Sequence, residues 1–153
     1  MPQPLDDVRF PLFADPQQAE PSGPRLFEPE DVIFGYSRAQ AIEDGVLVDA
    51  ATDDLAEISR QHYRFPVAMT RAVFELIDKA VNNPKWMNDW RGVWHDVLWM
   101  SICHKTRRLS ESEAIFRVII TGTGRKRNHD LKVVIGPGDN AEPVVTIMLP
   151  EED

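Results

Sequence analysis

The chain has 153 residues, 42% of them hydrophobic, and a formal net charge of −8, the size and apolar content of one ordinary domain that buries roughly two-thirds of its unfolded surface. No apolar run approaches the ~18 residues of a membrane span, and the opening MPQPLDDVRF lacks the basic-then-apolar pattern of a signal peptide. A single cysteine, Cys103, excludes an internal disulfide framework, so the expected compartment is the cytoplasm, with no membrane partner.

Residues 1–31 hold seven of the twelve prolines among acids and glutamines. Proline neither continues a helix nor donates to a sheet ladder, so this segment is expected to be extended and separate from a domain at 32–153. Ser37-Arg-Ala-Gln40 reads as a capping box, and Gly45 as the residue that stops the helix it opens. Val46-Leu47-Val48 alternates only long enough for a short strand. Thr52 followed by Asp53 and Asp54 marks a second helix, running to about Gln61. From Thr70 to Val81, Val73, Leu76, Ile77 and Ala80 recur at helical spacing.

The stretch from Pro84 to Arg108 carries all four tryptophans and predicts one long helix, capped by Asn83 and with Pro84 at its first position. On a helical wheel Trp86, Met87, Trp90, Val93, Trp94, Val97, Leu98 and Met100 share one broad apolar arc. Trp99 falls on the opposite side beside Asn88, Arg91, Gly92 and His95. Lys105, Arg107 and Arg108 would complement the carbonyl end of the helix dipole. Beyond them the period changes: residues 114–121, 131–135 and 144–149 are rich in β-branched side chains. Their short links predict an antiparallel meander. The expected class is α+β, with four helices, one long and tryptophan-rich, packed on a three-stranded C-terminal meander.

Charge is segregated along the chain, with about −5 in residues 1–31, about +5 in 104–132 and about −5 in 133–153. A pI near 5 argues against nucleic acid as the main partner, although residues 105–127 are the place where it would bind. His62, His95, His104, His129 and Cys103 show neither HExxH nor paired CxxC spacing, so no metal and no cofactor is expected. Gly122-Thr-Gly124 precedes Arg125, Lys126 and Arg127, the composition of a phosphate or acidic-partner contact. A strand rather than a helix is expected to follow, which favours a solvated hairpin tip. Gly136-Pro-Gly-Asp139 has the residues of a type II turn, and the terminal Glu151-Glu152-Asp153 reads as a solubilising end.

The candidate surface is Arg91, His95 and Trp99 at i, i+4 and i+8, extended by Tyr36 and Arg38. Trp with Arg is the composition of an interaction hot spot, so the expected partner is another protein. A second reading is an enzyme acting on a nucleotide or other phosphate-bearing substrate. In it His95 moves the proton, Asp96 or Asp139 orients it, and Arg38 or Arg125 holds phosphate. Oligomeric state is open, because Trp90 and Trp94 suit a dimer seam as well as an intrachain core.

The stretches YSRAQAIEDGVLVD (36–49), FPVAMTRAV (65–73), RGVWHDVLWM (91–100) and VIGPGDNAEPVVTIMLPEED (134–153) resemble a family of small uncharacterised proteins. That family is carried on proteobacterial plasmids, integrated elements and some phages. The resemblance implies a gene on mobile DNA, serving maintenance, transfer or antagonism of host defence. It implies no chemistry.

Overall fold

Ten elements follow one another in a computed structural model that describes residues 36–153. The expected extended segment at 1–31, and the domain start near Val32, lie outside the described residues. Helix α1 (Arg38–Glu43) opens on the capping box read from sequence, Ser37 accepting from the Gln40 amide and Gln40 reaching back. Its end is a Schellman turn: Gly45 donates to Ile42 and Val46 to Ala41, with Gly45 at φ +80. Strand β1 (Leu47–Asp49) and helix α2 (Asp53–His62) follow. Thr52 occupies the cap position of α2, but its hydroxyl makes no cap hydrogen bond.

Strand β2 (Val67–Thr70) leads directly into α3 (Arg71–Val81), capped by the Thr70 hydroxyl. The tryptophan helix, α4, is Trp90–Cys103, shorter than the expected 84–108 at both ends. Asp89 caps it, accepting from the Gly92 amide at 2.8 Å, in place of Asn83. The reason is a competing set of side-chain bonds. Asn83 Oδ1 accepts from the Lys85 amide, Asn83 Nδ2 donates to Gly122 O, and Asn88 Nδ2 donates to Ala80 O and Thr121 O. These bonds hold residues 83–88 against the end of α3 and the hairpin after β4 rather than in a helical turn. Gly122, at φ +93, faces Trp86 and Ala80 so closely that a Cβ would sit 3.2 Å from the Ala80 carbonyl oxygen.

At the other end, Lys105, Arg107 and Arg108 do not finish the helix. They form strand β3 (Lys105–Arg108), which pairs with β4 (Glu113–Ile119). Strands β5 (Asn128–Pro137) and β6 (Pro143–Met148) complete the sheet. The expected meander is present as β4–β5–β6, but it is the middle of a six-stranded mixed sheet ordered β1-β2-β6-β5-β4-β3. Among the described residues only β2 and β6 run parallel, joined through α3, α4 and the meander.

The core lies between the sheet and helices α2, α3 and α4. Phe116, Val118, Leu131, Val133, Val145 and Ile147 from the sheet meet Ile58, Val73, Ile77, Val93, Val97 and Leu98. Trp94 is fully buried there, its indole N–H donating to Ser59 Oγ at 3.0 Å, and Trp90 stacks on Phe74 at 4.9 Å. Both tryptophans are thus partnered within the chain. Met87, expected on the apolar arc, is 99% exposed because it precedes the helix.

Two turn readings change. The β5–β6 connection is not type II on Pro137-Gly138. Strand pairing continues through Pro137 and Pro143, and the loop is Asp139-Asn140-Ala141, with Ala141 at φ 65. Gly138 donates to Glu142 O and Ala141 to Gly138 O, the pattern of a type I turn closed by a left-handed residue. The C-terminal acids are not all a solvated end either. The Glu152 carboxylate accepts from the Thr70 hydroxyl and the Leu149 amide, while its carbonyl accepts from the buried Lys132 ammonium. Among the described residues no helix is long and apolar enough to cross a membrane.

Candidate functional site

Helix α4 packs mainly on α2 among the helices, and the solvent side of that pair holds the candidate surface. Val93, Trp94, Val97, Leu98 and Ser101 turn one stripe of α4 inward, which leaves Arg91, His95 and Trp99 in a row outside. Arg91 donates to Glu57 Oε1 at 2.7 Å and to the Asp54 carbonyl at 3.3 Å, tying the start of α4 to α2. That bond holds the Glu57 carboxyl below its ordinary range. One helical turn on, His95 lies 4.8 Å from His62, the last residue of α2, with the rings edge to face. Trp99 stacks parallel to His95 at 6.3 Å and meets His62 edge-on at 6.2 Å.

Three aromatic rings therefore converge at one place, and only His95 and Trp99 were legible as a pair from spacing. His62 comes from a different helix. Its Nε2 is enclosed without a hydrogen-bond partner, and loss of solvation, then the neighbouring His95, push its pKa below the usual 6.5. Trp99 remains 52% exposed despite these contacts. An aromatic held by neighbours yet open to water loses little side-chain freedom when a partner covers it.

His62 also lines a cavity of about 350 Å³ between the end of α2, the end of α4 and strands β3 to β5. Ile102, Ala114, Val133 and Ile135 give it apolar walls, and Lys105 and Arg108 stand at its β3 side. No periodicity in the sequence announces this cavity, because its walls come from three separated segments.

The other candidate residues are placed elsewhere. The Arg38 guanidinium is half-buried across β6, donating to Thr146 Oγ1 at 2.9 Å and to the Val145 carbonyl at 3.1 Å. Asp139 accepts from the Arg38 and Ala39 amides at 2.7 and 2.9 Å, which caps α1 and lowers its pKa. Both groups are engaged in holding α1 to the β5–β6 loop, and no hydrogen bond among the described residues links them to His95 or Asp96. Tyr36, 57% exposed, donates to Asp44 Oδ2. Asp96 sits 3.4 Å from His95 Nδ1, with both groups open to solvent.

Arg125, Lys126 and Arg127 are exposed at the β4–β5 hairpin tip, and Arg127 lies 5.6 Å over the Trp86 ring. The following residues are β5, so these loop amides do not open a helix as a phosphate cradle does. Among the described residues no cluster of three or more His, Cys, Asp or Glu side chains is placed to hold a metal ion.

No curated protein and no solved structure matches the chain. Residues 24–153 match a family of unknown function, DUF6573, and the chain belongs to that family.

Proposed function

We propose that this protein acts by binding another protein through the exposed row Arg91, His95 and Trp99 on α4. The observation that carries the reading is Trp99: a large indole, half-exposed, oriented by His62 and His95 and flanked along the helix by a paired arginine. Binding energy in interfaces concentrates on such aromatic and arginine positions. Of the residues named by the phosphate-enzyme reading, Arg38 and Asp139 spend their polar groups on the fold, while Asp96 and Arg125 stay exposed.

The wider setting belongs to the same proposal. The protein is read as a cytoplasmic accessory of mobile DNA, serving maintenance of the element or antagonism of host defence.

The test pairs stability with capture. Trp99→Ala is expected to cost about 1–2 kcal/mol, because half of the indole is already in water. It is expected to abolish retention of a specific protein by the tagged chain. A mutant that unfolds at ordinary temperature would show that Trp99 serves the core, and unchanged retention would remove this face from the interaction.

A further inference from the structure

Among the described residues strand β3 is the outer edge of the sheet, and all four of its residues, Lys105-Thr-Arg-Arg108, are exposed. Its pairing with β4 tells which way its backbone points. Leu109 donates to the Glu113 carbonyl at 2.8 Å, and Arg108 stands opposite Ala114. In an antiparallel ladder the hydrogen-bonding direction alternates residue by residue, so the Arg108 N–H and C=O project away from the sheet. A strand laid beside β3 would find them there.

We infer that the partner bound at this face contributes an acidic, extended segment that adds to the β3 edge as a seventh strand. The inference rests on the protein-binding reading and names the partner's chemistry. Three cations in four residues choose the occupant. Edge cations guard against pairing with neutral or basic strands. A second copy of this chain would bring Lys-Thr-Arg-Arg against itself, and like charges directly opposite are destabilising. An acidic strand turns that guard into attraction. None of the ion pairs among the described residues involves Arg107 or Arg108.

The cavity supplies the second half of the recognition. Lys105 and Arg108 line it together with Glu111 and Glu113, beside the apolar walls Ile102, Val133 and Ile135, so its charges balance and its apolar walls set the preference. Side chains of an added strand alternate between the two sheet faces, so every second one would stand on the helix side, over the cavity mouth. The segment that fits puts apolar side chains over the cavity and acids on the other face, where Arg107 stands opposite Ile115. Because His62 touches both the cavity and the Trp99 ring, edge and helix face form one continuous surface.

The test is a titration of the isotope-labelled full chain with an acetylated, amidated eight-residue peptide of alternating glutamate and valine. The control peptide alternates lysine and valine. The acidic peptide is expected to bind, to move the amide signals of residues 105–108, and to slow hydrogen exchange at Arg108. Arg107→Ala should weaken it several-fold through lost charge, and Arg108→Pro at least tenfold more by removing the outward N–H. Should Arg108→Pro fail to fold, the double variant R107E/R108E is expected to switch preference to the lysine peptide. Equal binding of both peptides, equal effects of Ala and Pro, signals moving only elsewhere, or no binding would each overturn strand addition. If peptide binding fails while a protein still crosslinks from position 99, the inference falls alone. If both fail, so does the reading beneath it.

Discussion

Ser59 is the residue on which the tryptophan helix is hung, and its removal tests the packing account. Only 3% exposed, its hydroxyl donates to the Ala50 carbonyl at 2.7 Å and accepts from the Trp94 indole at 3.0 Å. Ser59→Ala leaves a buried donor and a buried acceptor without that partner. Each such group costs about 1–3 kcal/mol, so the expected loss is about 2–6 kcal/mol. For a domain of this size that lowers the melting temperature by roughly 10 °C. Thermal denaturation followed by circular dichroism and by tryptophan fluorescence would read it. The mechanism is isolated by a double-mutant cycle with Trp94→Phe, which removes the indole donor. The double variant should lose at least about 1 kcal/mol less than the sum of the singles. A single-variant loss below about 1 kcal/mol, or strict additivity, would refute the network.

Ala141 holds φ 65 in the β5–β6 loop, where a Cβ is strained, so Ala141→Gly should raise stability by about 0.5–1 kcal/mol. Chemical denaturation checks it, and a loss would place the strain elsewhere. His62 has its pKa depressed by lost solvation and then by His95, so the folded state binds fewer protons than the unfolded one below about pH 6.5. Stability should hold above that value and fall as pH drops through the folded pKa. His95→Gln should move the His62 titration part-way back up, with burial supplying the remainder, as read by nuclear magnetic resonance. Glu152→Ala removes the acceptor of the Thr70 hydroxyl and the Leu149 amide, with an expected loss of about 1–2 kcal/mol in urea denaturation. A neutral result would return Glu152 to the role of a solvated terminal acid.

Much of the fold is written locally and could be read that way. The Ser37–Gln40 box, the Gly45 stop, the 71–81 helix and the three meander strands each depend on near neighbours, and each is present. What escaped depends on distant backbone. Strand β2, Val67–Thr70, is buried on both faces, so it shows no alternation. Strand β3 has no apolar residue at all and exists because its backbone completes β4. The same basic residues suit a helix end by the dipole argument, which shows how one charge pattern serves two conformations.

The candidate site divides in the same way. The off-face position of Trp99 followed from helical spacing, since residues four apart share a face. His62 joins it only through the crossing of α2 on α4, and the adjoining cavity needs three segments to close. Arg38 and Asp139 illustrate the converse. Arg38 carries a group suited to holding phosphate and Asp139 one suited to orienting a proton transfer, yet the fold consumes both in capping α1 and bridging to β6.

The central claim is that the Trp99 face meets another protein, and photocrosslinking in living cells tests it most directly. A photoreactive phenylalanine at position 99 is compared with the same group at Glu75, an exposed position on α3. The account predicts a discrete protein adduct from position 99 and none from position 75. Adducts at neither position, or the same adducts at both, would contradict it.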